Sequence, residues 1–207
     1  MIQWGQGRLG RSHLQRAAEA CRSTAQRLFP FLQHDNSLPA ASIVIPLLNG
    51  PDARLLFQQR ATSLRLHPGQ VAFPGGFILP GEKSWHAATR ECKEELGWQP
   101  EERECLGELG YWYNRKARVR VVPWLVLLEP HVNDMRPTTL AAMNERVNKE
   151  EVDHLLLVRL DDLAKKEYKK LHPGWPPVPF FYPDAQHTIW GFTGFVLDAF
   201  LQELCAG

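Results

Sequence analysis

Apolar positions fall along this chain in two rhythms, and the switches between them mark out its elements. Leu14, Ala17, Ala18 and Cys21 recur at helical spacing, which predicts an amphipathic helix over 11–28 that stops before Pro30. Residues 41–48 and 53–59 are dense in apolar side chains and read as two strands joined by the turn Asn49-Gly50-Pro51-Asp52. A loop over 61–72 leads to a short strand at Phe73-Pro74-Gly75-Gly76. Helical spacing then returns over 84–96, where Trp85, Ala88, Thr89, Cys92 and Leu96 share one arc. Ser84 is the expected cap of that helix, and Gly97 followed by Pro100 its stop.

Residues 104–113 and 117–128, rich in β-branched and aromatic side chains, predict two strands around the turn Asn114-Arg115-Lys116. A further strand is expected at 151–158, a short helix at 161–166 and a final helix at 191–204. The segment 173–183 holds five prolines and reads as an ordered loop or an edge strand. Lys165–Lys170 reads as a solvated helix end. Strands of this number with helices on both faces predict one α/β domain over 1–207, an α/β/α sandwich about a mixed sheet with the 11–28 helix appended.

Composition narrows the function classes. At 207 residues there is room for a substantial core, and 24 Lys plus Arg against 23 Asp plus Glu leave no global field that would draw nucleic acid or a membrane surface. Four scattered cysteines without a Cys-x-x-Cys pair argue against zinc and against a disulfide framework, and for a reducing interior. No apolar run is long enough to cross a bilayer. Five arginines and one acid over 8–27 have the bias of a mitochondrial transit segment, but the apolar spacing favours a helix packed on the domain. The expected location is therefore cytoplasmic, with mitochondrial as the alternative.

The candidate chemistry lies in the helix at 84–96. Glu91, Glu94 and Glu95 stand at i, i+3 and i+4, which gathers three carboxylates on one flank. Such a flank repels itself without a cation, and hard oxygen donors suit Mg²⁺ or Mn²⁺. Gly75 and Gly76, just upstream, allow backbone to pass close to a ligand. A strand, a glycine loop and an acidic helix, in that order, suit a phosphate held by a metal.

These residues resemble the signature of the Nudix hydrolases, G-x5-E-x7-R-E-U-x-E-E-x-G-U with U apolar. Gly76, Glu82, Arg90, Glu91, Glu94, Glu95 and Gly97 fill its fixed positions over 76–98, and Cys92 and Trp98 fill the apolar ones. The resemblance implies a metal-dependent pyrophosphohydrolase. Glu91, Glu94 and Glu95 would bind the ions with the carbonyl of Gly75; Glu82 and Arg90 would hold the loop against the helix as a charge-assisted pair, Arg90 also orienting a neighbouring glutamate, and Gly97 would be structural. Glu94 is one candidate general base, and Glu150 or Glu151 is the other.

A second resemblance, to Nudix enzymes that cleave coenzyme A, lies in R-x3-G-x3-FPGG, met by Arg65, Gly69 and Phe73–Gly76. Upstream of it Leu56 and Ala61 agree with that group's pattern, while Phe57, Gln58 and Arg60 depart from it. It implies coenzyme A or an acyl derivative as substrate, with Arg65, Arg60 and Gly76 in contact with it. The products would be 3′,5′-ADP and (acyl-)4′-phosphopantetheine. Alternatives are another nucleoside diphosphate derivative, such as ADP-ribose or a dinucleotide, and a non-catalytic nucleotide-binding module. The expected partner is a small-molecule diphosphate, with no nucleic acid or membrane and with a homodimer allowed.

Overall fold

The computed structural model describes residues 9–33, 37–128, 137–171 and 176–206. In chain order these form α1 (Arg11–Leu28), β1 (Ala40–Leu48), β2 (Arg54–Arg60), β3 (Val71–Ala72), β4 (Gly75–Phe77), α2 (Ser84–Leu96), β5 (Cys105–Glu108), β6 (Trp112–Asn114), β7 (Val119–Leu128), α3 (Pro137–Arg146), β8 (Val152–Arg159), β9 (Lys166–Lys169), β10 (Val178–Phe181) and α4 (Gly191–Ala206). Strand β1 is the axis. It runs parallel to β7 in unbroken register from Ala40 opposite Arg120 to Leu48 opposite Leu128, and antiparallel to β4 and to the start of β2. Strand β2 carries β3 and β8, and β7 carries β5 and β6, which completes a mixed sheet of eight strands.

Strand alternation assigns the two faces. Ile45, Leu47, Leu55, Phe57, Leu125 and Leu127 point to one side, where Leu14, Ala17 and Cys21 of α1 and Val196, Leu197 and Phe200 of α4 pack over them. Val44, Leu56, Val126, Leu128 and Leu155 point to the other, against Ala88, Cys92 and Leu96 of α2 and Leu140 and Met143 of α3. Each such Val, Leu, Ile, Phe or Met side chain gains roughly 1.5–3 kcal/mol by leaving water. The α/β/α sandwich is therefore the observed architecture. Phe57 and Phe73 stack with ring centroids 4.7 Å apart, which anchors the backbone just ahead of the glycines in the first core.

Several local expectations need correction. The strand expected over 104–113 is two strands, because Gly107 and Gly110 adopt φ of 132° and 79° and the register against β7 slips between Cys105 and Gly107. The short strand at 73–76 is replaced by β3 and β4 on either side of Phe73-Pro74. Ser84 does not cap α2: Lys83 holds the capping position with no side-chain bond, and Ser84 is the first helical residue. In place of a helix at 161–166 there is a 3₁₀ turn, Leu160–Ala164, followed by β9. Leu160 and Leu163 bury at the three-residue spacing of that turn.

Lys165–Lys170 is thus no helix end. Lys166–Lys169 pairs with β10, and Lys166 and Tyr168 both reach Asp198 of α4. The edge-strand reading of the proline segment holds for 178–181, while 172–175 lie outside the described residues. Helix α3 lies in a stretch for which the apolar pattern predicts no element. It docks through the Asn144 side-chain oxygen, which accepts a bond from the Leu155 N–H at 2.7 Å.

Candidate functional site

The three glutamates of α2 do not share one solvated flank. At about 100° per residue, Glu94 lies some 60° to the polar side of Glu91, and Glu95 about 40° toward the arc of Ala88 and Cys92. Exposure follows that order: 53 % for the Glu94 side chain, 17 % for Glu91 and 3 % for Glu95. The cluster runs from water into the core within a single turn. Gly97, at φ 66°, closes the helix by donating its N–H to the Lys93 carbonyl at 3.1 Å.

Glu95 is held from two elements. The Gly75 N–H donates to Oε2 and Gln58 Nε2 to Oε1, each at 2.8 Å, and Arg60 Nη1 stands 4.0 Å from Oε1. Burial outweighs these bonds and pushes its carboxyl up to about 7. The native protein therefore binds a proton here that the unfolded chain releases near 4.5, so stability falls as pH rises between those values. In metal-free protein, Glu95→Gln is expected to flatten that decline and to raise the melting temperature at pH 8. The shift corresponds to roughly 3 kcal/mol at most. An amide fits the shape, and Gln58 can turn to accept from it. Thermal melts in EDTA at pH 5 and pH 8 check this; equal pH dependence in both proteins would contradict it.

Arg90 is the hub of the site. It meets Glu82 through two bonds of 2.9 and 3.1 Å, and its Nη1 donates to Glu91 at 2.8 Å and Glu94 at 2.9 Å. Its Nη2 also donates to the Phe77 carbonyl at 3.0 Å, which ties the glycine loop to the helix. The guanidinium holds Glu82 below the usual carboxylate range. Burial raises Glu91 against the pull of the same guanidinium, and the negative charges of Glu94 and Glu151 add to the rise.

The two glycines are required for different reasons. A side chain on Gly76 would start 2.4 Å from the Glu91 carboxyl carbon, so the carboxylate lies directly on bare backbone. Gly75 has φ 143°, and a side chain there would meet the Ser42 carbonyl at 2.2 Å. Strand β1 and the carboxylates therefore close in on the same two residues from opposite sides.

The other expected contact residues separate. Arg60 is in the site at the end of β2, with its Nε buried and without a hydrogen-bond partner. Arg65 is not gathered with it; it stands exposed on the loop between β2 and β3. That loop is closed at its base, where Gly69 N–H donates to the Arg60 carbonyl at 3.1 Å and Arg60 N–H to that of Gln70 at 2.9 Å. Of the two downstream acids, Glu150 is exposed, whereas Glu151 is half-buried and its charge is felt at Glu91. The Glu151 carbonyl accepts from the Ala61 N–H at 2.9 Å, which fixes this turn beside β2. Gln58 is the residue that sequence reasoning missed. Its signal was present: a polar side chain between Leu56 and Arg60, on the strand face that packs the acidic helix.

The donor set fits a small divalent cation. It consists of carboxylate oxygens and glycine-loop backbone, all hard ligands, and Gln58 Oε1 lies buried beside Glu95 with no hydrogen-bond partner. Among the described residues no three acidic, His or Cys side chains form a ready-made cage, and Arg90 bonds both Glu91 and Glu94.

Known proteins resemble this chain in sequence and in fold. The model of the NUDIX domain matches residues 38–179. Nudix hydrolase 3 of Caenorhabditis elegans is 31 % identical over 184 residues, covering 80 % of this chain and 73 % of its own. The uncharacterized Nudix hydrolase NudL of Photorhabdus laumondii is 32 % identical over 175 residues, covering 82 % and 87 %. Among solved structures, a MutT/nudix family protein from Enterococcus faecalis superposes with a TM-score of 0.53 at 13 % identity, over 93 % of this chain and 73 % of its own, and so shares the fold. The match of the domain model, the two relatives and a glutamate helix seated on paired glycines lead to one conclusion: the chain belongs to the Nudix family and is a Nudix hydrolase.

Proposed function

We propose that this hydrolase cleaves the diphosphate of coenzyme A or an acyl-coenzyme A, giving 3′,5′-ADP and (acyl-)4′-phosphopantetheine. Mg²⁺ or Mn²⁺ would be held by Glu91, Glu94, Glu95 and the Gly75 carbonyl. A bound divalent cation supplies neutralisation of the diphosphate and a lowered pKa for the attacking water. The observation that supports metal-dependent diphosphate cleavage is the graded carboxylate triad on bare glycine backbone, with the Arg60 guanidinium beside it.

The chain's own residues do the rest. Arg90 aligns Glu91 and Glu94 before substrate arrives. Arg60, whose side chain is partly exposed beside Glu95, pairs a phosphate oxygen of the diphosphate, for which a guanidinium fork is suited. Glu94 and Glu151 are the two candidates to take the proton of the attacking water; Glu151 is preferred over Glu150 because its charge is felt at Glu91.

Support for coenzyme A comes from Arg65, Gly69 and Phe73–Gly76 at the spacing of that subgroup, and from the exposed position of Arg65 on a loop anchored at Arg60. Coenzyme A carries a 3′-phosphate as well as the diphosphate, so a second cation away from the carboxylates is wanted. Initial rates on coenzyme A and ADP-ribose, with products identified by mass spectrometry, test the assignment. It predicts faster turnover of coenzyme A and the two products named above; a preference for ADP-ribose would overturn it. Arg65→Ala is expected to raise KM for coenzyme A about tenfold, equivalent to roughly 1.4 kcal/mol, and to leave KM for 3′-dephospho-coenzyme A nearly unchanged. Equal effects on both would remove Arg65 from the 3′-phosphate.

A further inference from the structure

Away from the carboxylate helix, His154 of β8 and His187 of the loop after β10 bring their Nε2 atoms to 3.2 Å, with the rings inclined at 66°. Each ring is held from its other nitrogen. Asp153 Oδ2 lies 2.8 Å from Nδ1 of His154, and Asp184 lies 2.9 and 2.8 Å from Nδ1 of His187 through its two oxygens. Asp184 is itself fixed by the backbone N–H groups of Gln186 and His187, both at 2.8 Å.

Carboxylates only accept, so both Nδ1 atoms carry hydrogen and donate. A proton on one Nε2 would join the rings by an N–H···N bond, whereas a metal ion would take the Nε2 lone pairs of both. Imidazoles whose second nitrogen bonds a carboxylate are the form in which histidine ligates transition metals. Two nitrogens at about 2.0–2.1 Å from a tetrahedral ion stand about 3.3 Å apart, close to the separation found here. His187 is mostly covered and His154 is 37 % exposed, so the pair is ordered yet open to solvent on one side.

The geometry points to a transition-metal site at His154 and His187, taking an imidazole-preferring ion of the Zn²⁺ class through the two Nε2 atoms, with Asp153 and Asp184 orienting the rings. Among the described residues no third His, Cys, Asp or Glu side chain completes a cage. The protein thus supplies two ligands and the remaining positions go to water. The site differs in donor chemistry from the all-oxygen cluster of α2, so excess Mg²⁺ occupies that cluster without competing here. An ion on this pair clamps the loop 183–188 to the edge strand β8.

Titrating the full chain with ZnCl₂ in excess Mg²⁺ at pH 7.5, by calorimetry, tests the site. The expected result is one equivalent bound at micromolar Kd, at least tenfold weaker in His154→Gln and in His187→Gln. Asp184→Asn, which frees one ring, is expected to weaken it about tenfold to a hundredfold. Nitrogen NMR of the wild-type histidines gives a readout independent of any variant. It predicts hydrogen on Nδ1 of both rings and displacement of both Nε2 resonances by Zn²⁺. Unchanged titrations in the His variants, or Nε2 resonances indifferent to Zn²⁺, would overturn the proposal.

Discussion

Glu94→Gln and Glu95→Gln are expected to fold and to lose about a hundredfold to a thousandfold in kcat, the scale of removing one electrostatic contact from a transition state. Each change keeps shape and deletes one negative charge. At position 94 the side chain is half in water and bonded to Arg90, so the fold has little at stake. At position 95 burial makes the carboxylate costly without a cation. The Glu95→Gln protein should therefore be the more stable of the two in EDTA and still nearly inactive in Mg²⁺. That opposition marks a group kept for function against the interest of the fold. Steady-state rates at saturating Mg²⁺, with circular dichroism to confirm folding, measure both. A variant with near-normal kcat would contradict the assignment of metal-binding carboxylates.

Gly75→Ala should damage the fold, whereas Gly76→Ala should damage the site alone. At Gly75 the added methyl meets two backbone atoms, the Ser42 carbonyl at 2.2 Å and the Ile43 Cα at 2.6 Å, and neither can move without opening the pairing of β1 with β4. The φ of 143° adds its own strain for any residue with a Cβ. Strain and overlap at this scale together cost about 3 kcal/mol or more. At Gly76 the three atoms nearest the methyl all belong to the Glu91 carboxylate, the end of a flexible side chain. That group can swing away, which spares stability but breaks its alignment by Arg90. Denaturation midpoints should fall clearly for Gly75→Ala and little for Gly76→Ala, while both lose activity. Similar midpoints for the two variants would mean that the glycines are not separated in this way.

Much of this was legible in the residues because it is local. The spacing of Glu91, Glu94 and Glu95, the helix stop at Gly97 and the pairing of Glu82 with Arg90 all lie within one short segment. Even the burial of Glu95 follows from the helical wheel once it is placed next to Ala88 and not beside Glu94. What was not legible is non-local. Gln58 reaches Glu95 only because β2 and α2 pack face to face, and Glu151 comes near Glu91 only because β8 returns alongside β2. Helix α3 has a weak apolar stripe and depends on docking to β8. Lys166–Lys169 reads as a charged helix end until β10 supplies its hydrogen-bond partners. In each case a distant segment decides a conformation that the local pattern leaves open.

Anomalous diffraction from crystals soaked in Mn²⁺ tests the central claim most directly. The account predicts Mn²⁺ peaks at about 2.1–2.2 Å from carboxylate oxygens of Glu91, Glu94 and Glu95, the distance usual for a hard divalent ion on oxygen donors. The bonds from Arg90 to Glu91 and Glu94 should lengthen or break as the ions take their place. Peaks elsewhere on the surface, with the three glutamates still bound to Arg90 and Gln58, would contradict it.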